Sequence, residues 1–210
     1  MERSDEIILV SGEDSTDTAL ELVDDFIDGF YLVRKNAIRF RLLAEETLGM
    51  FRALTGKYTA RFWLEHEGYE FRVRLCASTV IDKNKKDGLL SVATSGRNAA
   101  AKGFMGRISE VIENGLLDFD KSLQLRQDSL DGITDFAEMG YSDTGSLSGE
   151  PGTYSWTLDN YRQELKSRDD DELSRGAWDE LEKSIVASIA ENVIVGVKKN
   201  NVDMTIVFIP

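Results

Sequence analysis

A strict alternation between residues 58 and 77 limits the folds open to this chain more than any other feature. Apolar side chains occupy every second position from Tyr58 to Leu64 and again from Phe71 to Ala77, and mostly polar side chains fill the positions between. A period of two is typical of strands with one buried face. Glu67-Gly68 supplies a turn between the two runs. The sequence therefore predicts a β-hairpin.

The residues before this hairpin predict one short strand and two helices. Ile7 to Val10 is an apolar run long enough for a strand. Apolar residues then recur at helical spacing from a cap at Ser15 or Thr16 to about Leu32. A second helix is predicted from Asn36 to Leu54, and Thr55-Gly56 ends it.

The last part of the chain repeats the change from helix to hairpin. An amphipathic helix is predicted from Trp178 to Ala190. Val193 to Val197 and Val202 to Ile209 follow as strands, joined by the short connection Lys198 to Asn201.

The middle region, residues 82–175, has weaker signals. It offers a strand at Leu89 to Ala93 and a helix from Asn98 to Glu113, which Asn114-Gly115 would close. The segment Gly140 to Gly152 is rich in glycine and serine and is predicted to be a loop. We interpret residues 1–210 as a single domain in which residues 82–175 form an inserted or divergent, lid-like region.

Charge and composition exclude several classes of function. The chain has 25 basic and 38 acidic residues, a formal net charge of −13. This field repels phosphate backbones and anionic lipid, so neither nucleic acid nor membrane is expected as a partner. No apolar run approaches the about 18 residues of a membrane span. With one cysteine and no signal-peptide pattern, a cytoplasmic location is expected.

The order of elements, together with one helical motif, resembles a known superfamily. The run Leu42-Leu43-Ala44-Glu45-Glu46-Thr47-Leu48-Gly49-Met50 has the form apolar-apolar-x-Glu-x-x-x-Asn, except at its last position. It resembles the GHKL superfamily of histidine-kinase-like ATPases, and most closely the bacterial anti-sigma-factor serine kinases. The resemblance covers about Glu6 to Ser78 and Leu181 to Pro210.

The resemblance implies a fold and a set of site residues. The implied fold is an α+β two-layer sandwich, in which a mixed, mainly antiparallel sheet is covered on one face by helices and a long insertion precedes the last helix. Glu46 would be the catalytic base. Met50 stands where the family has the Asn that holds magnesium, and a thioether is a poor ligand for that cation. Magnesium should not bind in the family's manner.

The family's next motif, Asp-x-Gly-x-Gly, would fall at Leu75-Cys76-Ala77-Ser78-Thr79, which has neither Asp nor Gly. The family's later glycine-rich box is reduced to Gly176. We therefore expect a vestigial pocket near Glu46, Met50, Cys76, Ala77 and Ser78, with no cofactor and no metal.

Other chemistry-bearing residues favour structural roles. His66 has no second histidine to complete a metal site, and Cys76 is interpreted as a small buried side chain rather than a nucleophile. The glycine-containing run Arg97 to Arg107 lacks phosphate-loop spacing and is expected to pack through Phe104 and Met105. Asp169 to Glu172 lacks calcium-loop spacing. Trp63, Trp156 and Trp178 are not interleaved with basic residues as in single-strand binders, and Trp178 is expected in the core.

These observations favour a regulatory module over an enzyme. A scaffold kept without its ligand contacts suits a protein-binding role, in anti-sigma-type signalling if the resemblance extends that far. The sequence leaves a homodimer open. The alternative is an active ATP-dependent serine-protein kinase or ATPase with divergent motifs, which would use ATP, magnesium and Glu46.

Overall fold

The computed structural model describes residues 1–12, 15–55, 57–79, 104–116, 153–167 and 172–210. The strand at Leu89 to Ala93 and the loop Gly140 to Gly152 lie outside these residues, as does most of Asp169 to Glu172.

Seven described strands form one sheet. They are β1 (Glu2–Arg3), β2 (Ile7–Val10), β3 (Tyr58–Glu67), β4 (Glu70–Thr79), β5 (Thr153–Thr157), β6 (Asn192–Lys198) and β7 (Asn201–Phe208). Their order is β1-β3-β4-β7-β6-β5, and β2 also pairs with β3. Every described pair is antiparallel.

Six described helices accompany the sheet. They are α1 (Thr16–Asp28), α2 (Arg34–Leu54), α3 (residues 104–116), α4 (Leu158–Ser167), α5 (Glu172–Lys183) and α6 (Ile185–Ile189). Helix α2 packs between α1 and α6, and α4 packs on β5 and β6.

The predicted hairpin of β3 and β4 is confirmed. Gly68 in its turn has a φ of 64°, a conformation that glycine adopts without strain. The resulting register places Trp63 opposite Arg74 and Phe62 opposite Leu75. One face of the hairpin is therefore apolar and the other polar.

The core lies between the apolar face of the sheet and the helices. Phe40 of α2 lies 5.5 Å, centroid to centroid, from both Phe71 of β4 and Phe208 of β7. All three rings are buried. Burying a side chain of this size stabilises the fold by about 2–3 kcal/mol, so this group joins the helical layer to the centre of the sheet. The predicted two-layer α+β architecture with helices on one face is confirmed.

Several element boundaries differ from the prediction. Helix α1 ends at Asp28 rather than near Leu32, and α2 begins at Arg34. Helix α3 continues to residue 116, so Asn114-Gly115 does not end it. Tertiary packing at this point outweighs the local signal of an Asn-Gly pair.

The single helix predicted from Trp178 to Ala190 is two helices. Ser184 leaves the helical conformation, and its Oγ accepts a hydrogen bond from the N–H of Ala187 at the start of α6. This is N-cap geometry, which allows the chain to change direction between α5 and α6.

Strand β5 and helix α4 are not predicted by the sequence pattern, which assigned their residues to the middle region. Strand β5 extends the sheet beyond β6. Arg162 of α4 then donates hydrogen bonds to the carbonyl oxygens of Ala187, Ala190 and Glu191, at 2.8, 3.3 and 2.8 Å. These bonds satisfy carbonyls that the end of α6 leaves unpaired, and they attach α4 to the corner between α6 and β6.

We expect Gly115→Ala to destabilise the protein by about 1–3 kcal/mol. A Cβ at this position would lie 2.5 Å from Cγ1 of the buried Val197. The energetic cost of this clash exceeds the roughly 1 kcal/mol that alanine gains in helix propensity. Urea unfolding would measure the difference.

Gly49→Ala on α2 is the matched control, because a Cβ there meets no atom within 4 Å. This variant should be stabilised by about 0.5–1 kcal/mol. Stabilisation of both variants would contradict the close approach of α3 to β6.

Candidate functional site

Glu46 and Met50 lie one helical turn apart on α2, so they share a side of the helix. Glu46 is half-buried, whereas the Met50 side chain is 7% exposed and belongs to the hydrophobic core. The position where the resembled family has an Asn is thus filled by an apolar packing group.

Thr47, between these two residues, points into the protein. It is fully buried, and its Oγ1 donates a hydrogen bond to the Leu43 carbonyl oxygen at 2.6 Å. This local bond satisfies the hydroxyl within its own helix. On the inward side of α2, the Thr47 hydroxyl is therefore bonded within its own helix.

The sheet separates the remaining candidate residues. Ala77 is buried in the core, on the side of the sheet that faces the helices. Cys76 and Ser78 point to the opposite side, because neighbouring side chains alternate along a strand. Of the three strand residues of the expected pocket, the structure brings only Ala77 to the same layer as Met50.

The end of β4 is tied to the turn between β6 and β7. Asn200 Nδ2 donates to Ser78 Oγ at 2.9 Å, and the Asn200 carbonyl accepts from the N–H of Thr79 at 3.0 Å. Thr79 Oγ1 donates to the Lys57 carbonyl at 3.0 Å. These bonds fix the positions of Ser78 and Thr79, the last two residues of the segment where the resemblance would place the Asp-x-Gly-x-Gly motif.

Cys76 lies on the outer face, opposite Arg61 of β3 and Asp203 of β7. Partial burial raises the pKa of its thiol, and a hydrogen bond to the Asp203 carboxylate raises it further, while Arg61 acts in the opposite direction. The thiol is half-buried. Because the thiolate is the nucleophilic form, this environment disfavours a reactive cysteine.

Trp63 is the centre of a cluster that the sequence pattern did not reveal. Its ring is covered by the guanidinium groups of Arg3, Arg74 and Arg61, whose Cζ atoms lie 4.5, 5.5 and 5.9 Å from the ring centroid. The residue is 7% exposed although it lies on the outer face. Strands β1, β3 and β4 each bring an arginine to Trp63. The expectation that the tryptophans do not form a single-strand-binding surface stays a prediction.

The charges of this cluster are largely compensated within the protein. Buried Glu65 accepts a hydrogen bond from Trp63 Nε1 at 2.7 Å and lies 3.9 Å from Arg74 Nε. Arg74 also donates to Thr205 Oγ1 at 2.6 Å. Arg3 lies 2.7 Å from a Glu6 carboxylate oxygen. The hairpin register, which follows from the Glu67-Gly68 turn, is the sequence signal that could have placed Arg74 beside Trp63.

His66 lies between two phenylalanine rings. Its ring centroid is 4.3 Å from that of Phe30 and 4.4 Å from that of Phe71. The imidazole therefore contributes to packing between the α1–α2 turn and the hairpin.

The other candidates pack as structural groups. Phe104 is buried and contacts Trp156, with centroids 5.6 Å apart, and Met105 packs partly buried against the core. Arg107 pairs with Glu110 of the same helix at 3.3 Å. The expected packing of Phe104 and Met105 is confirmed. Trp178, expected in the core, is only partly buried and packs against the core.

Metal-binding clusters and membrane-spanning helices are both absent from the described residues. These residues contain no group of three or more His, Cys, Asp or Glu side chains placed to hold a metal ion. None of the helices among them has both the length and the apolar character needed to cross a membrane.

No protein-family model, curated protein or solved structure matches this chain.

We expect Asp203→Asn to accelerate alkylation of Cys76 by iodoacetamide at mildly alkaline pH. Loss of the carboxylate removes a negative charge that opposes the thiolate, so the thiol pKa falls toward its ordinary value. The rate would be followed by mass spectrometry. Arg61→Gln provides the opposite control, because loss of the cation raises the pKa and should slow the reaction. Equal rates in the wild type and both variants would contradict this electrostatic arrangement.

Proposed function

We propose that this protein is a regulatory, protein-binding module, built on a histidine-kinase-like ATPase scaffold, that does not bind magnesium-ATP. The observation that carries the proposal is the Met50 side chain, which is buried in the apolar core. It stands at the position that the resembled superfamily reserves for a magnesium-binding Asn.

The chemistry of Met50 supports the loss of metal binding. Magnesium is a hard cation that takes oxygen ligands in octahedral geometry and keeps several waters. A buried thioether provides neither the oxygen nor access for those waters.

The strand that would contact adenine supports the same conclusion. The family places there an Asp that accepts the adenine amino group, and glycines that let the backbone approach the ligand. Here the buried inward-facing residues are Leu75 and Ala77, which can pack against a ring but cannot accept a hydrogen bond from its amino group.

A fold kept without its ligand contacts suits recognition of another protein. In the anti-sigma-factor branch the partners would be sigma factors or their antagonists, and we extend that class of partner to this chain as part of the proposal. A cytoplasmic location follows from it. The net charge of −13 argues against nucleic acid as the partner, because it repels phosphate.

The alternative is an active serine-protein kinase or ATPase. Its support is Glu46, a half-buried carboxylate one turn before Met50 on α2, where a base could orient a water or a protein hydroxyl. Acidic side chains of residues 82–175 would then have to hold the magnesium.

Thermal unfolding with and without magnesium-ATP separates the two functions. We expect no shift of the unfolding midpoint in the wild type. A ligand present at 100 times its Kd would stabilise the fold by about 2.7 kcal/mol, a shift of about 5–10 °C for a chain of this size. Such a shift, if abolished by chelating the magnesium, would refute the proposal.

The variants Met50→Asn and Met50→Leu refine this experiment. Met50→Leu keeps the core apolar and should behave like the wild type, within about 1.5 kcal/mol. Met50→Asn buries an amide and should lower stability by about 1–3 kcal/mol, so each variant is compared with its own ligand-free midpoint. The alternative would be established if the wild type releases phosphate from ATP and Glu46→Gln does not.

A further inference from the structure

Three large apolar side chains are exposed at the turn between α1 and α2 and at the start of α2. Tyr31 is 96% exposed, Val33 is 72% exposed and Ile38, one turn into α2, is 57% exposed. Tyr31 also adopts a φ of 51°, a left-handed conformation that is uncommon outside glycine, asparagine and aspartate. An exposed tyrosine at a strained position contributes nothing evident to the stability of one copy.

The two helices that flank this turn carry opposite charges. Helix α1 contains five acidic residues and no basic one: Asp17, Glu21, Asp24, Asp25 and Asp28. The first eight residues of α2 contain four basic residues and no acidic one: Arg34, Lys35, Arg39 and Arg41. The exposed apolar group therefore lies between an acidic surface and a basic one.

These charges are unfavourable for the helices that carry them. A helix C-terminus favours cations and an N-terminus favours anions. Helix α1 has no basic residue in its last turn, where Asp28 lies, and α2 has no acidic residue in its first turn, where Arg34 and Lys35 lie. Residues that break a local rule without a compensating contact point to a functional surface.

Within one copy, few of these charges are neutralised. Arg41 pairs with Asp24 at 3.0 Å and approaches Glu45 at 3.7 Å. Asp25, Asp28, Arg34 and Lys35 form no ion pair within the part of the chain that the structure describes. These four side chains are exposed and available to a partner.

We propose that this surface, formed by Tyr31, Val33, Ile38 and the charged faces of α1 and α2 beside them, binds a second copy of the chain. A two-fold axis near the turn would place the acidic α1 of each copy against the basic start of α2 in the other. The same patch then serves both partners, as an isologous interface requires. The apolar side chains form the centre of the contact and the charges form its rim.

A second copy fits this surface better than an unrelated protein, because the surface is complementary to itself. Each copy supplies both signs of charge, joined by one turn, so that every acidic segment finds a basic one. A stable interface needs about 800 Å² from each partner. Three side chains supply only part of that area, so both helix faces must take part. This contact between copies does not depend on whether nucleotide binds.

Sedimentation equilibrium of the full chain over a wide concentration range tests the proposal, with two charge-reversal variants. One variant is Asp25→Lys with Asp28→Lys, and the other is Arg34→Glu with Lys35→Glu. We expect a dimer for the wild type. Each variant alone should dimerise at least about a hundredfold more weakly, because the last turn of α1 and the first turn of α2 would then carry like charges.

Mixing the two variants is the decisive step. In the mixed dimer the last turn of α1, made positive in one copy, meets the first turn of α2, made negative in the other. The remaining pair of turns keeps its original signs, so both contacts are attractive. Native mass spectrometry should detect this heterodimer. Wild-type protein that is monomeric throughout, variants that dimerise normally, or a mixture that stays monomeric would each overturn the proposal.

Folding controls keep the result clear. Both reversals place charges that suit the helix dipoles, so the variants should unfold at no lower temperature than the wild-type monomer. Tyr31→Asn is an independent variant, because asparagine tolerates the left-handed conformation. It should weaken the dimer at least about tenfold without lowering monomer stability. An unchanged dimer in Tyr31→Asn would exclude the turn from the interface.

Discussion

Strand β4 pairs with β7 along the whole length of β7, and this pairing connects parts of the chain that are far apart in sequence. Arg74 and Thr205, which share a hydrogen bond across it, are 131 positions apart. The ring of Phe40 contacts both strands and so fixes α2 over the join. Contacts of such long range are slow to form. The β4 edge of the hairpin of β3 and β4 therefore stays unpaired until β7 covers it.

The two hairpins and the helices before them could be predicted from the sequence because their signals are local. Apolar alternation and helical spacing are set within a few residues, and the Glu67-Gly68 turn also fixes a register. The break at Ser184 and the strand Thr153–Thr157 could not be predicted, since each depends on elements that pack against it. The order of strands in the sheet also depends on distant pairing. The two-layer architecture was implied only by the resemblance in element order and helical motif, because residue patterns alone predict separate elements.

The candidate site was predictable only in part, and for a physical reason. Glu46 and Met50 share a helix, so their spacing alone places them together. Cys76 and Ser78 flank Ala77 in sequence, but their side chains point to the opposite face of the sheet because side chains alternate along a strand. The cluster around Trp63 requires knowledge of three strands at once. On the outer face of the sheet, this cluster forms a polar surface whose charges are largely paired within the protein. On the inner side, Met50 packs in the apolar core.

The hydrogen bonds of Arg162 give the edge of the sheet a mechanical link to α2. Its guanidinium binds carbonyls at the end of α6 and the beginning of β6, and α6 packs directly on α2. A molecule that displaced α4 would have to break those bonds or carry α6 with it. Movement of α4 would then be transmitted through α6 to α2, the helix that holds Glu46, without any ligand reaching the interior.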